Sequence, residues 1–222
     1  MDLHAVCHTC RRSHALKGEP ETYFNEQWEY KHRGHKLDVL DLDEFALHPA
    51  NYPGNADIKI AYVATATITI TLASLGSSAT WVAGQESAAQ DNGTNKYVDA
   101  VLRGKITVGT TPTINTQIRA YLFSAINDTP TWPDVMDGTD SAETITSVGV
   151  GNGFLKLAAL LDVDATTSDR EYPFSARKSH AALFGAMPQD WGVFVTHNTG
   201  VALNATGGNH LIYADQLYYT VA

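Results

Sequence analysis

From residue 58 onward the chain alternates apolar and polar positions with the two-residue period of a half-buried β-strand. Thr67-Ile-Thr-Ile-Thr-Leu72 is the clearest case, with Ile68, Ile70 and Leu72 predicted on one face. The same pattern predicts strands over Val98–Val108, Ile114–Ile126, Glu143–Val150, Leu155–Val163, Trp191–His197 and Leu211–Val221. Turn chemistry separates them: Asp91-Asn-Gly93, Gly109-Thr-Thr-Pro112, Asn127-Asp-Thr-Pro130, Gly151-Asn-Gly153 and Thr206-Gly-Gly-Asn209. About eight strands with few helices predict an all-β fold, a jelly-roll-like double-sheet β-sandwich over residues 58–222, with an ordinary sandwich as the other topology the pattern allows.

The first 57 residues read differently. Pro20 opens a predicted helix in which Phe24, Trp28 and His32 recur every four residues and share a face. Glu19 and Glu21 suit its N-terminus, and Gly34 stops it. Both cysteines of the chain, Cys7 and Cys10, lie ahead of this helix, and His32 and His35 repeat their spacing. A CxxC turn directs two thiolates at one ion, and a histidine pair completes the tetrahedral shell of a structural Zn2+ site. Such a shell has no open position for water, and His4, His8 and His14 lack the matching pairing. A redox CxxC belongs at a strand-to-helix junction of an α/β pattern, which the sequence does not show. Residues 1–36 are therefore expected to be a zinc-binding module whose few apolar side chains cannot hold it alone, whereas zinc ligation contributes on the order of 10 kcal/mol.

Residues 37–57 combine Val39, Leu40, Leu42, Phe45 and Leu47 with Pro49 and Pro53. They are too apolar for a free linker and too rich in proline for a helix, so an extended arm lying along a surface is expected.

Charge narrows the partners. The 222 residues carry 15 Lys plus Arg against 24 Asp plus Glu, a net charge of −9, which opposes binding to a phosphate backbone. The predicted helix of the module sets Glu21, Glu26 and Glu29 against only Lys31 and Arg33, unlike a finger that reads DNA. No secretory signal is visible, and the uncharged stretch from Ile60 to Gly84 is interrupted by Thr and Ser. The expectation is a protein made in the cytoplasm, with neither nucleic acid nor membrane as partner.

The sequence contains no GxSxG elbow, HExxH motif or Gly-rich phosphate loop ahead of a helix, and the chain is expected not to be an enzyme. His180, His197 and His210 sit in or beside predicted strands, where a hydrogen-bonded structural role is expected. Asp128, Asp134, Asp137, Asp140 and Glu143 surround Trp132 in one loop. Their spacing does not match an EF-hand, so the default is a solvated turn anchored by Trp132, with a cation or a stacked sugar as the alternatives.

Two stretches of the body, Asp128-Thr-Pro-Thr-Trp-Pro-Asp-Val-Met-Asp-Gly-Thr-Asp140 and Trp191-Gly-Val-Phe-Val-Thr-His-Asn-Thr-Gly200 running on to Gly208-Asn-His-Leu-Ile-Tyr213, resemble structural proteins of tailed bacteriophages. Val6-Cys-His-Thr-Cys10, Trp28 and Lys31-His-Arg-Gly-His-Lys36 similarly resemble small zinc-binding segments of phage proteins. The resemblance implies a virion component, either a head decoration (cement) protein or a minor head protein. Its implied partners are the major capsid protein or neighbouring virion proteins and further copies of itself, as a homo-oligomer with a trimer favoured. The alternative is a tail or fibre part whose lectin-like β domain meets host glycans through Trp132.

Overall fold

A computed structural model describes residues 3–7, 12–15, 37–41, 58–62 and 65–221. The chain divides into two units, residues 1–59 with 220–222, and residues 60–219.

In the first unit β1 (Leu3–Cys7), β2 (Arg12–Ala15) and β3 (Leu37–Asp41) form a three-stranded sheet in the order β2-β1-β3. Cys7 is in register with Arg12 on one side and with Leu37 on the other, both pairings being antiparallel. Leu37–Asp41, expected at the start of the arm, is thus a sheet strand whose backbone groups pair with β1. The predicted helix over Glu21–His32 lies outside the described residues.

The remaining strands build two sheets. The six-stranded sheet contains β6 (Ala83–Glu86), β7 (Gln90–Asp91), β9 (Thr116–Ser124), β10 (Ala142–Thr144), β11 (Lys156–Val163) and β13 (Asp190–His197). Its order is β10-β6-β13-β9-β11, with β7 also on β13. The five-stranded sheet contains β4 (Ile58–Tyr62), β5 (Ala66–Thr67), β8 (Asp99–Thr107), β12 (Glu171–Ser175) and β14 (Leu211–Val221) in the order β12-β8-β14-β4, with β5 on β14. Two short helices, α1 (Val148–Phe154) and α2 (His180–Phe184), interrupt the strands. Among the described residues no helix is long and apolar enough to cross a membrane.

The sequence pattern explains the packing. Leu102 and Ile106 of β8 and Ile212 and Ala214 of β14 share one buried cluster with Ile118, Ala120 and Leu122 of β9 and Trp191, Val193 and Val195 of β13. The alternating apolar faces of the two sheets therefore meet in a double-sheet sandwich, and each fully buried aliphatic side chain contributes about 1.5–3 kcal/mol. A second cluster occupies the opposite face of the six-stranded sheet. Phe123 and Phe194 follow inward-facing Leu122 and Val193 and so point outward, where Met136 and Ile145 cover them. Residues 126–155 are the excursion that supplies this cover, with Trp132, Phe154 and Leu155 packed against it.

Two expected strands took other forms. In Thr67–Leu72 the facing is as predicted, with Ile68 and Leu72 buried, but the segment changes sheets. The Ile68 amide donates to Ile212 of β14, whereas the Thr69 carbonyl accepts from Ala88 just beyond β6, so no continuous ladder forms. Glu143–Val150 keeps only the end of β10, because Ser147 caps α1 by accepting from the Val150 amide at 3.2 Å.

Candidate functional site

Of the four expected zinc ligands, Cys7 ends β1, whereas Cys10, His32 and His35 lie outside the described residues. Arg12 and Leu37 both stand opposite Cys7, so the strand ends nearest in sequence to Cys10 and His35 are at the same end of the sheet as Cys7.

In the body, chemistry-bearing side chains fall into two sets. The first is the acidic excursion over the six-stranded sheet. Glu86 of β6 is fully buried and accepts from the Gly138 amide at 2.7 Å and the Asp137 amide at 3.2 Å. Burial pushes its carboxyl up to about 7; the two amides pull the other way, and the charges of Asp137 and Glu143 add to the rise. Asp140 accepts from the Thr71 amide and hydroxyl and from the Gln85 side-chain amide. Asp134 accepts from the amide and hydroxyl of Thr146. Asp137 accepts from the hydroxyl and amide of Thr139, which hold its carboxyl below the usual range.

Each of these carboxylates accepts at least one backbone amide of its own loop or of a neighbouring segment. Among the described residues no group of three or more His, Cys, Asp or Glu side chains could hold a metal ion. Trp132 is half-buried, packs edge-on against Phe123 with ring centroids 5.5 Å apart, and lies over Gly138. It anchors the loop on the second apolar cluster, as the default reading of this segment expected.

The second set is the three body histidines, all buried, with His197 at the end of β13 and His210 beside the end of β8, and His180 beside the starts of both strands. His197 contacts the Leu75 carbonyl through Nε2 and the Thr199 hydroxyl through Nδ1, each at 3.0 Å. His210 donates from Nε2 to the Asn204 carbonyl at 2.9 Å and accepts the Thr107 amide at Nδ1. Both bridge backbone segments that no ladder joins. His180 opens α2, donates from Nδ1 to the Ala100 carbonyl at 2.8 Å, and meets Trp191 edge-on with ring centroids 4.2 Å apart. Its Nε2 and the Trp191 indole N–H have no hydrogen-bond partner among the described residues. Desolvation lowers all three imidazoles, and takes His180 down to about 4.

The sequence reading did not single out Glu86. The signal available was an acid in Ala83-Gly-Gln-Glu86, a segment without the apolar alternation that marks a buried strand. Set beside known proteins, the chain matches no described family, no curated protein and no solved structure.

Proposed function

We propose that the chain is a structural component of a tailed-phage particle, a decoration subunit that docks on the head through residues 1–57 and presents an inert, jelly-roll-like sandwich. The observation that carries this reading is how the eight principal strands nest. Taken in chain order as β4, β6, β8, β9, β11, β12, β13 and β14, the first neighbours the last, the second the seventh, the third the sixth and the fourth the fifth. That nesting supports the wrapped-hairpin order of a jelly roll, an architecture used in viral capsids and also in lectins and cupins. Fold-level analogy raises the virion reading, and the internal use of the buried histidines and carboxylates supports a scaffold role. The packing of Trp132 edge-on against Phe123 supports a loop anchor in preference to the exposed stacking platform that a glycan-binding tail part would use.

In this reading Zn2+ bound by Cys7, Cys10, His32 and His35 folds the docking module, supported by the register that sets Arg12 and Leu37 opposite Cys7. The partners are the major capsid protein or its neighbours and further copies of the chain, with a trimer as the favoured form and the virion as its location. Co-sedimentation of the full chain with undecorated capsids tests the proposal. Zinc-loaded protein is expected to pellet with the shells and chelator-treated protein or the Cys7→Ser/Cys10→Ser variant to stay in the supernatant. Equal pelleting with and without metal would refute the zinc-dependent docking, and no pelleting at all would refute the decoration role.

A further inference from the structure

Trp81 is held in the left-handed backbone region, with φ of +64°, a conformation that costs a bulky L-residue energy and persists where the surrounding structure over-determines it. The turn that imposes it is fastened on both sides. The Trp81 amide donates to the Ser78 carbonyl, and the Ser78 hydroxyl accepts from the Ala83 amide at 3.1 Å. The indole is thereby laid against Arg119 of β9, whose guanidinium carbon stands 3.6 Å from the ring centroid. Nε and Nη2 of Arg119 donate to Gln117 Oε1 at 3.2 and 2.9 Å, and the Gln117 side-chain amide donates in turn to Asp162 at 3.1 Å. One face and one edge of the guanidinium are thus committed. Its end-on fork, made of the Nη1 hydrogens and the second hydrogen of Nη2, has no acceptor among the described residues.

The other stacked arginine supplies the comparison. Arg170 lies over Tyr172 at 5.7 Å and carries a carboxylate, Asp164, at 3.1 Å from Nη2. Arg103 and Lys105 likewise have Asp215 and Glu171. Arg119 is half-buried, yet among the described residues no carboxylate lies within ion-pair distance of it, in a chain with 24 acidic residues. Asp162 reaches Gln117 and not the guanidinium.

We propose that Arg119 and Trp81 form a carboxylate-binding site, in which the end-on fork of the guanidinium receives both oxygens of a carboxylate from outside the chain. The planar fork matches a two-oxygen acceptor through parallel charge-assisted hydrogen bonds, which a lysine ammonium cannot reproduce. Trp81 and Gln117 fix the guanidinium beforehand, so little rotamer freedom is lost when the acid arrives. Leu160, in register with Arg119 and 42% exposed, offers apolar contact beside it. A small organic acid and an acidic side chain of a protein neighbour present the same chemistry. The site is independent of the head-docking reading, which uses residues 1–57.

The test is an NMR titration of the full chain that follows the Arg119 Nε–H and the Trp81 indole N–H. Sodium acetate is the probe, with acetamide and sodium chloride at matched ionic strength as controls. Acetate is expected to shift both signals saturably in the millimolar range, and the controls to leave them in place. Arg119→Met should abolish the response, and Arg119→Lys, which keeps the charge without the fork, should weaken it by about tenfold. A hexaglutamate peptide forms the second arm. Binding at least about tenfold tighter per carboxylate than acetate assigns the site to a protein neighbour, and equal binding per carboxylate assigns it to small acids.

No saturable shift with acetate, or a shift that acetamide or chloride reproduces, would overturn the inference and leave the stack as a staple between the turn and β9. So would a response that survives Arg119→Met or keeps full strength in Arg119→Lys. Far-UV circular dichroism verifies folding of each variant. Should Arg119→Met fail to fold, Arg119→Lys and the parent titration decide alone.

Discussion

Replacing Glu86 by glutamine should flatten one limb of the stability–pH curve. The Glu86 carboxyl titrates near 7 in the fold against a usual 4.5, so folding favours its protonated form. The stability it contributes is complete below about pH 4.5 and is lost as pH rises through about 7. At 1.36 kcal/mol per unit, that displacement amounts to about 3 kcal/mol between the two ends of the window. The substituted side chain cannot ionise; its carbonyl oxygen can keep the Gly138 amide, while its own amide would face the Asp137 N–H that Glu86 Oε2 accepts at 3.2 Å. The variant should therefore be weaker than the parent at about pH 5 by roughly the 1–2 kcal/mol of one lost buried hydrogen bond. Towards pH 8 the difference should shrink or change sign as the parent carries a buried charge. Urea unfolding of both proteins at matched pH reads this directly, since the histidine contributions cancel in the difference. A difference that stays constant from about pH 5 to pH 8 would refute the reading of Glu86 as a desolvated carboxyl.

The histidines act in the opposite direction. His180 is held down to about 4 from 6.5, so its contribution is complete above about pH 6.5 and is lost as pH falls through 4; His180→Phe should retain more of its stability at about pH 4 than the parent does, and acid unfolding midpoints measure this. Gly138 has φ of +80°, and a Cβ there would lie 2.9 Å from the Trp132 ring, so Gly138→Ala should cost about 2 kcal/mol in thermal or chemical unfolding and perturb the near-ultraviolet signal of Trp132. Metal removal should unfold the N-terminal unit and leave the melting of the sandwich unchanged, which two-transition calorimetry resolves.

How far the sequence revealed this fold depends on which force placed each segment. β8, β9, β11, β13 and β14 are long, and their alternation follows directly from one face meeting the other sheet, so periodicity located them within a few residues. β6 escaped because its burial has another basis. A Cβ at Gly84 would overlap the Val195 carbonyl and the Phe194 ring, Gln85 is tied to Asp140, and Glu86 is buried as an acid. β12 was obscured by Pro173, which an edge position tolerates because its missing N–H faces no partner strand. α1 was misread as strand because Val148 and Val150 flank Gly149 in an alternating pattern, while the deciding element is the Ser147 cap.

The acidic loop and the histidines could be named from sequence, but not what they do. Whether Asp134 and Asp140 converge on an ion or accept from protein donors is set by Thr146, Thr71 and Gln85, the last two far away in the chain. Residue spacing within one loop carries no trace of those donors. The zinc expectation at the CxxC and HxxH pairs rests on local spacing alone, and Cys10, His32 and His35 lie outside the described residues.

High-resolution imaging of the particle that carries this chain examines the central claim most directly. The account predicts a double-sheeted domain on the outer surface of the head, joined to the shell through its N-terminal residues, with density for one metal ion among Cys7, Cys10, His32 and His35. Finding the chain at the tail tip with Trp132 against a glycan, or on the head but attached by the sandwich with no metal at the N-terminus, would contradict it.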